Sequence, residues 1–194
     1  ASFREMKDGS FGFEVGAYDP RLELNIDPLV HAYSTYLGGN KDDYAFSVAV
    51  DGAGAIYAHG VTLSGDFPPE MGTQARQDTF VTKLSSDGSE LVYTAFFPGA
   101  NPFVASHALF VDAKGFAYMG GSTSSNRFPV KNAFQSAFGG GQVDAFILKL
   151  TRDGQGLIYS SYIGGNNNEF CMAVAVDGTG AAYLCGSTHS RDFP

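Results

Sequence analysis

Positive charge is scarce in this chain. Twelve Lys and Arg stand against 20 Asp and Glu, a formal net charge of -8, and no basic run gathers them. That balance disfavours nucleic acid and anionic membranes as partners, because neither would meet a positive field. Cysteine is scarcer still. Two in 194 residues do not make a disulfide scaffold, and there is no CxxC pair. No hydrophobic run approaches the length of a membrane span, so direct membrane insertion is not expected. No stretch carries a helical period, and no succession of basic, apolar and small residues marks a signal peptide. The chain opens on Ala1 and closes on a repeat boundary at Pro194, which reads as a processed or excised piece of a longer protein.

What is abundant points to short strands: 25 Gly, ten Tyr, 17 Phe and 44% hydrophobic residues. The organising feature is a long repeat. Residues 33–68 read YSTYLGGNKDDYAFSVAVDGAGAIYAHGVTLSGDFP, and relatives follow at 93–129 and 159–194. The leading Tyr33, Tyr93 and Tyr159 are 60 and 66 residues apart; Asp51, Asp112 and Asp177 are 61 and 65 apart. Period-two segments within each copy predict four strands: 46–50, 55–62, 79–84 and 91–97, then 108–111, 116–122, 145–150 and 157–163. A third copy begins at 172–176 and 181–187. A strand at 30–37 matches the fourth strand of the other units.

Four antiparallel strands at this spacing predict an all-β fold, a β-propeller fragment of about two complete four-stranded blades plus half a blade. Residues 1–28 are expected to be an N-terminal hairpin or adaptor, with strands at 11–17 and 22–26 and a polar, edge-like stretch at 1–10. Residues 29–194 form the partial propeller: an outer strand and crossover at 29–43, blades at 44–97 and 103–163, and a half-blade at 170–194. A ring needs roughly four to eight blades. Further blades or domains of the parent chain, or further copies, are therefore expected partners.

Asp51, Asp112 and Asp177 are each followed three residues later by Gly54, Gly115 and Gly180. Asp at the first and Gly at the fourth position suits a type I turn with a glycine bulge. A calcium loop would need roughly six or more oxygens from a dense acidic segment, and AVDGAGAI offers one carboxylate. These positions read as structural turns. Cys171 and Cys185 fall on successive strands of the third hairpin, near one another across the ladder. Two buried free thiols and a cross-strand disulfide both remain open. The crossover loops carry Asn40, Asp42 and Asp43 in one copy and Asn166, Asn168 and Glu169 in another, polar groups on one rim that would face a sugar or a cation. Solvated crossovers explain them equally well. His31, His59, His107 and His189 are dispersed. Ser64, Ser124, Ser125 and Ser190 read as turn caps, and none sits in a nucleophile elbow. Tyr57, Tyr118 and Tyr183, with Phe67, Phe128 and Phe193, read as packing between blades. No catalytic residue, metal ligand or cofactor site is expected.

Several strings carry a resemblance: YSTYLGG at 33–39, SVAVDGAGAIYAHG at 47–60, DFP at 66–68, DAFILKLTRDGQGLIYSSYIGG at 144–165 and AVAVDGTGAAYLCGSTHSRDFP at 173–194. They resemble the bacterial and archaeal β-propeller repeat family often called SBBP, for seven-bladed beta propeller. FEVGAYDPRLELNIDPLVHAYSTYLGG at 13–39 is similar to the entry into a first such blade. The resemblance covers about residues 11–194. It implies a propeller, usually in an extracytoplasmic multidomain protein, and brings no established catalytic residues. Phe96-Phe97-Pro98-Gly99-Ala100 departs from the expected YLGG, and 101–106 lacks the acidic pair Asp42-Asp43. The functional expectation is a noncatalytic scaffold in an extracellular or cell-surface protein, presenting rim loops to a glycan or protein. The alternative is part of a propeller enzyme, such as a polysaccharide lyase or hydrolase, whose site lies in other blades.

Overall fold

The computed structural model describes residues 2–5, 11–14, 34–68, 78–98 and 108–194. The chain divides into two compact units, 1–32 and 33–194. In the first, β1 (Ser2–Glu5) pairs antiparallel with β2 (Phe11–Glu14), Phe3 opposite Phe13. The partner of the 11–14 strand is thus upstream, inside the stretch expected to be a polar edge. The alternation Ser2-Phe3-Arg4-Glu5 is too short to stand out from its surroundings. The expected strand at 22–26 lies outside the described residues.

Among its described residues the second unit holds three antiparallel sheets. Blade 1 is β3 (Asp43–Val50), β4 (Ile56–Thr62), β5 (Asp78–Leu84) and β6 (Leu91–Pro98), hydrogen-bonded in chain order. Blade 2 is β7 (Ala108–Val111), β8 (Ala117–Thr123), β9 (Asp144–Leu150) and β10 (Leu157–Ile163), in the same order. β11 (Glu169–Val176) and β12 (Ala182–Thr188) pair as a two-stranded sheet. The fold is all-β, and sheets of four, four and two strands match about two and a half propeller blades.

Two strand starts fall earlier than the alternation predicts. β3 begins at Asp43 and β11 at Glu169, each three residues before the expected 46 and 172. The cause is a bulge in each. Ala45 pairs with Gly60 and Ser47 with His59, leaving Phe46 unmatched; Cys171 pairs with Gly186 and Ala173 with Cys185, leaving Met172 unmatched. An extra residue inverts the side-chain phase, so the period breaks where the strand continues. The bulge also places a demand on the opposite strand. A β-carbon on Gly60 would collide with the Tyr44 carbonyl oxygen, and one on Gly186 with that of Phe170.

The expected strand at 30–37 is not formed over 34–37, where Tyr36 is fully exposed; 30–33 lie outside the described residues. The equivalent Ser160–Ile163 segment is a strand because β9 lies beside it. Among the described residues no third strand lies beside 34–37. A strand without a neighbour leaves its backbone groups to water.

The first strand of each blade packs on the blade before it: β7 meets β3 and β4, and β11 meets β7, β8 and β9. Blade 2 is therefore covered on both faces, and β8 is buried at every residue. The core runs through the joint between blades 1 and 2, with Tyr57, Val81, Tyr93 and Phe97 from blade 1 and Met119, Phe146, Leu148 and Tyr162 from blade 2. The Phe-Pro aromatics seat mainly within their own blades. Phe67 lies on Phe80 (ring centroids 4.4 Å apart) and Phe128 on Phe146 (4.3 Å), while Phe97 reaches Phe128 across the joint.

Candidate functional site

Two rims collect the polar residues. On the first, each hairpin turn closes around its aspartate. Asp51 Oδ1 accepts the amides of Ala53 and Ala55, both at 3.0 Å, and Gly54 turns through a φ of 84°. Asp112 takes the amides of Lys114 and Phe116, and Asp177 those of Thr179 and Ala181. The second carboxylate oxygen holds a tyrosine two positions into the next strand. Tyr57, Tyr118 and Tyr183 donate to Asp51, Asp112 and Asp177 at 3.1, 3.0 and 3.1 Å. Lys83 completes the first set with a 3.3 Å ion pair to Asp51, its Nζ 4.8 Å from the Tyr57 ring centre. Lys149 takes the same place in blade 2, 4.5 Å from the ring centres of both Phe116 and Tyr118.

The electrostatics follow from these bonds. Burial alone would raise the Asp51 carboxyl, but the amides of Ala55 and Ala53, with Lys83 and Tyr57, outweigh it and hold the group below its ordinary value. Asp112 is lowered by the same balance, its amides and Tyr118 outweighing burial. Asp177 falls to about 2, chiefly through Thr179 and the Ala181 amide. Burial, then the adjacent carboxylate, raises the phenols of Tyr57 and Tyr118 far above their ordinary value. All of these groups keep their ordinary charge at neutral pH. None is poised to exchange a proton there.

Open clefts lie between successive turns on this rim. One of about 560 Å³ is bordered by Asp51, Lys83, Lys114, Arg152 and Asp153, and a smaller one of about 250 Å³ by Asp112, Lys114, Lys149 and Asp177. Both carry mixed charge.

On the opposite rim the crossover loops are tied down by side chains. Gly39 N donates to Asp43 Oδ2 (2.7 Å), Asn40 N to Asp66 Oδ1 (2.8 Å) and Lys41 N to Ser64 Oγ (2.9 Å). The third copy repeats the set: Gly165 N to Glu169 Oε2, Asn166 N to Asp192 Oδ1 and Asn167 N to Ser190 Oγ. Asn168 Oδ1 accepts the Gln142 amide at 2.7 Å. One oxygen each of Asp43, Asn168 and Glu169 is thus spent on a backbone amide. Asn40, Asp42 and Asn166 remain exposed. Asp66 and Asp192 were not singled out in the sequence, although each precedes a Phe-Pro pair. Also missed were Asp78 and Asp144, 66 residues apart at the start of each third strand.

Cys171 and Cys185 are free thiols, one buried and one exposed. Neither a disulfide nor a buried pair is present, and the bulge at Met172 is the reason. Cys171, opposite Gly186, faces Gly120 of blade 2 together with Leu184. Cys185, the next residue along β12, points to the other face. His59 is buried with Nδ1 3.1 Å from the Phe80 carbonyl oxygen, and His189 lies edge-on to Phe170. His31 and His107 lie outside the described residues. Among the described residues no group of three or more His, Cys, Asp or Glu is placed to hold a metal ion, and no helix is long and apolar enough to cross a membrane.

Together the blades and their turn-to-turn contacts define a β-propeller-like array. Residues 32–68 match the family described as SBBP, beta-propeller repeat. That stretch spans the crossover, β3, β4 and the first Phe-Pro pair. No curated protein matches the chain.

Proposed function

We propose that this chain is a noncatalytic scaffold within an extracellular or cell-surface protein, and that its rim loops present a glycan or a protein partner with a rigid, variable surface. The observation that carries the reading is the use made of the repeated acids. On the turn rim they hold amides, tyrosine hydroxyls and a lysine of the fold itself, and on the crossover rim its amides and hydroxyls. Catalysis asks instead for titratable groups converging on a shared space. What differs between copies is the middle of the crossovers, Lys41 and Asp42 in one against Asn167 and Asn168 in another, and variable loops on a rigid scaffold are where binding usually resides.

Further blades of the same kind belong to this reading. β12 has a neighbour on one side only among the described residues, and Met172 and Tyr183 on the half-blade are exposed. At the other end Val48 and Val50 of β3 are exposed. An open strand edge beside exposed apolar side chains is a surface that proteins normally cover. The test is binding of the chain to arrayed neutral and acidic glycans. Saturable binding that is lost on Asn40→Ala/Asp42→Ala supports the glycan branch; no binding across the array eliminates it and leaves the protein partner.

A further inference from the structure

Beneath the crossover rim lie two buried carboxylates that no cationic side chain accompanies. Asp144 opens β9 in blade 2 and Glu169 opens β11 in the next blade; they are 0% and 1% exposed. Both touch one short stretch of backbone. A β-carbon on Gly164 would fall 2.5 Å from the Asp144 Cγ, and the adjoining Gly165 amide donates to Glu169 Oε2 at 3.0 Å. Asp144 Oδ2 accepts the Gly139 amide at 2.6 Å, and Glu169 Oε1 accepts the Thr188 hydroxyl at 2.6 Å. Asp144 Oδ1 is buried without a hydrogen-bond partner. Among the described residues neither carboxylate has a salt-bridge partner.

Backbone oxygens line the seam between the two glycine loops that bond these carboxylates. The carbonyl oxygens of Gly164, Gly165 and Asn166 lie 3.0, 2.5 and 2.9 Å from where β-carbons would sit on Gly139 or Gly140. The 139–141 loop thus has to be glycine to approach the 164–166 loop. Two carboxylates buried side by side with no cationic side chain favour the arrival of a proton or a cation. Burial and the neighbouring Glu169 charge already outweigh the amides of Gly139 and Gly140 and raise the Asp144 carboxyl.

We propose that Asp144 and Glu169 bind a calcium ion at the joint between blades 2 and 3, with carbonyl oxygens of the flanking glycine loops and water completing an all-oxygen shell. Carboxylate and carbonyl donors select a hard cation, and a shell built mainly from protein oxygens suits Ca²⁺ better than Mg²⁺, which keeps several of its waters. A second carboxylate supports the assignment. Asp43 stands eight residues before Asp51, as Glu169 stands eight before Asp177, and its Oδ1 is likewise buried without a partner. Val104 holds that place before Asp112. The joint between blades 1 and 2 therefore offers Asp78 without a matching acid, and one site per chain is expected rather than one per blade.

The experiment is calcium titration of the metal-stripped chain at neutral pH, by calorimetry and by thermal unfolding, to about 10 mM, above the weak end of protein calcium sites. The expected result is one ion bound per chain, a saturating rise in Tm and a smaller response to Mg²⁺. Asp144→Asn and Glu169→Gln are expected to remain folded in chelator but to gain nothing from calcium, while Asp87→Asn in an exposed turn responds like the parent chain. Absence of calorimetric binding with an unmoved Tm overturns the proposal, as does a full calcium response in both variants. A Tm indifferent to calcium but rising as the pH falls from 7 to 5 also overturns it, because the pair is then held by a shared proton. The readout is calcium, so the outcome is separable from the partner-binding reading.

Discussion

The Tyr57 hydroxyl serves two blades at once. It donates to Asp51 in its own turn at 3.1 Å and lies 3.4 Å from the carbonyl oxygen of Gly115 in the next. In blade 2 the geometry recurs: Tyr118 holds Asp112, and a β-carbon on Gly180 of the following turn would lie 3.3 Å from its hydroxyl. Gly115 and Gly180 are thus left-handed for their own hairpins and face the tyrosine hydroxyl of the blade before.

Removing that hydroxyl tests the joint. Tyr118→Phe keeps the ring packed and leaves Asp112 one donor short. A hydrogen bond to a charged acceptor suggests a loss of about 1–2 kcal/mol. Urea unfolding checks this, with an unchanged m-value showing that the compactness of the states is unaltered.

The bulges predict a sharp contrast between two glycines. Gly60→Ala drives a β-carbon into the Tyr44 carbonyl and to 2.8 Å from the Phe80 ring, whereas nothing lies within 4 Å of a β-carbon on Gly52. The first substitution is expected to cost about 3 kcal/mol and the second to stay within about 0.5 kcal/mol. Equal unfolding midpoints for the two variants would show that the bulge makes no such demand.

The cysteines differ in reactivity. Burial, then the neighbouring Cys185, pushes the Cys171 thiol up to about 11, and the thiolate is the reactive form. Iodoacetamide at pH 8 should label Cys185 in the folded chain and reach Cys171 only on unfolding. Mass spectrometry distinguishes this from two equal labelling rates, or from a two-hydrogen loss marking a disulfide.

The turn aspartates set the acid limb of stability. Asp51, Asp112 and Asp177 have carboxyls lowered by folding. Their contribution is full above the unfolded carboxylate pKa of about 3.9 and is lost as pH falls through the folded values. Asp144, raised by burial, works in the opposite sense, costing stability as pH rises through its folded value. Urea midpoints from pH 7 to pH 2 should hold down to about pH 4 and then fall, with a shallower fall in Asp112→Asn. An unchanged slope in that variant would remove Asp112 from the acid response.

The blades were legible because their signals are local. Asp followed by Gly three residues on sits between two alternating runs at Asp51, Asp112 and Asp177, and each signal needs only neighbours in sequence. The starts of β3 and β11 were not legible, since Phe46 and Met172 invert the phase inside those strands. The thiols were misplaced for the same reason. Counting across the ladder brought Cys171 and Cys185 together, and the extra residue turned them apart. The crossover rim was half legible: Asn40, Asp42, Asn166 and Asn168 lie in the crossover loops and Asp43 and Glu169 at the strand starts that follow them, but Asp66, Asp192 and Asp144 act through contacts distant in sequence. A residue such as Asp144 carries no local mark of the Glu169 that meets it from the next blade.

The central claim is that the recurring polar residues hold the blades while the variable rim is free to bind. It is tested most directly by comparing the urea midpoint of Tyr118→Phe with that of Asn40→Ala/Asp42→Ala. The account predicts a clear loss for the single hydroxyl, and for the rim pair, whose side chains are exposed, a midpoint equal to the parent's. A rim pair that unfolds earlier than the parent, beside a Tyr118→Phe chain that does not, would contradict it.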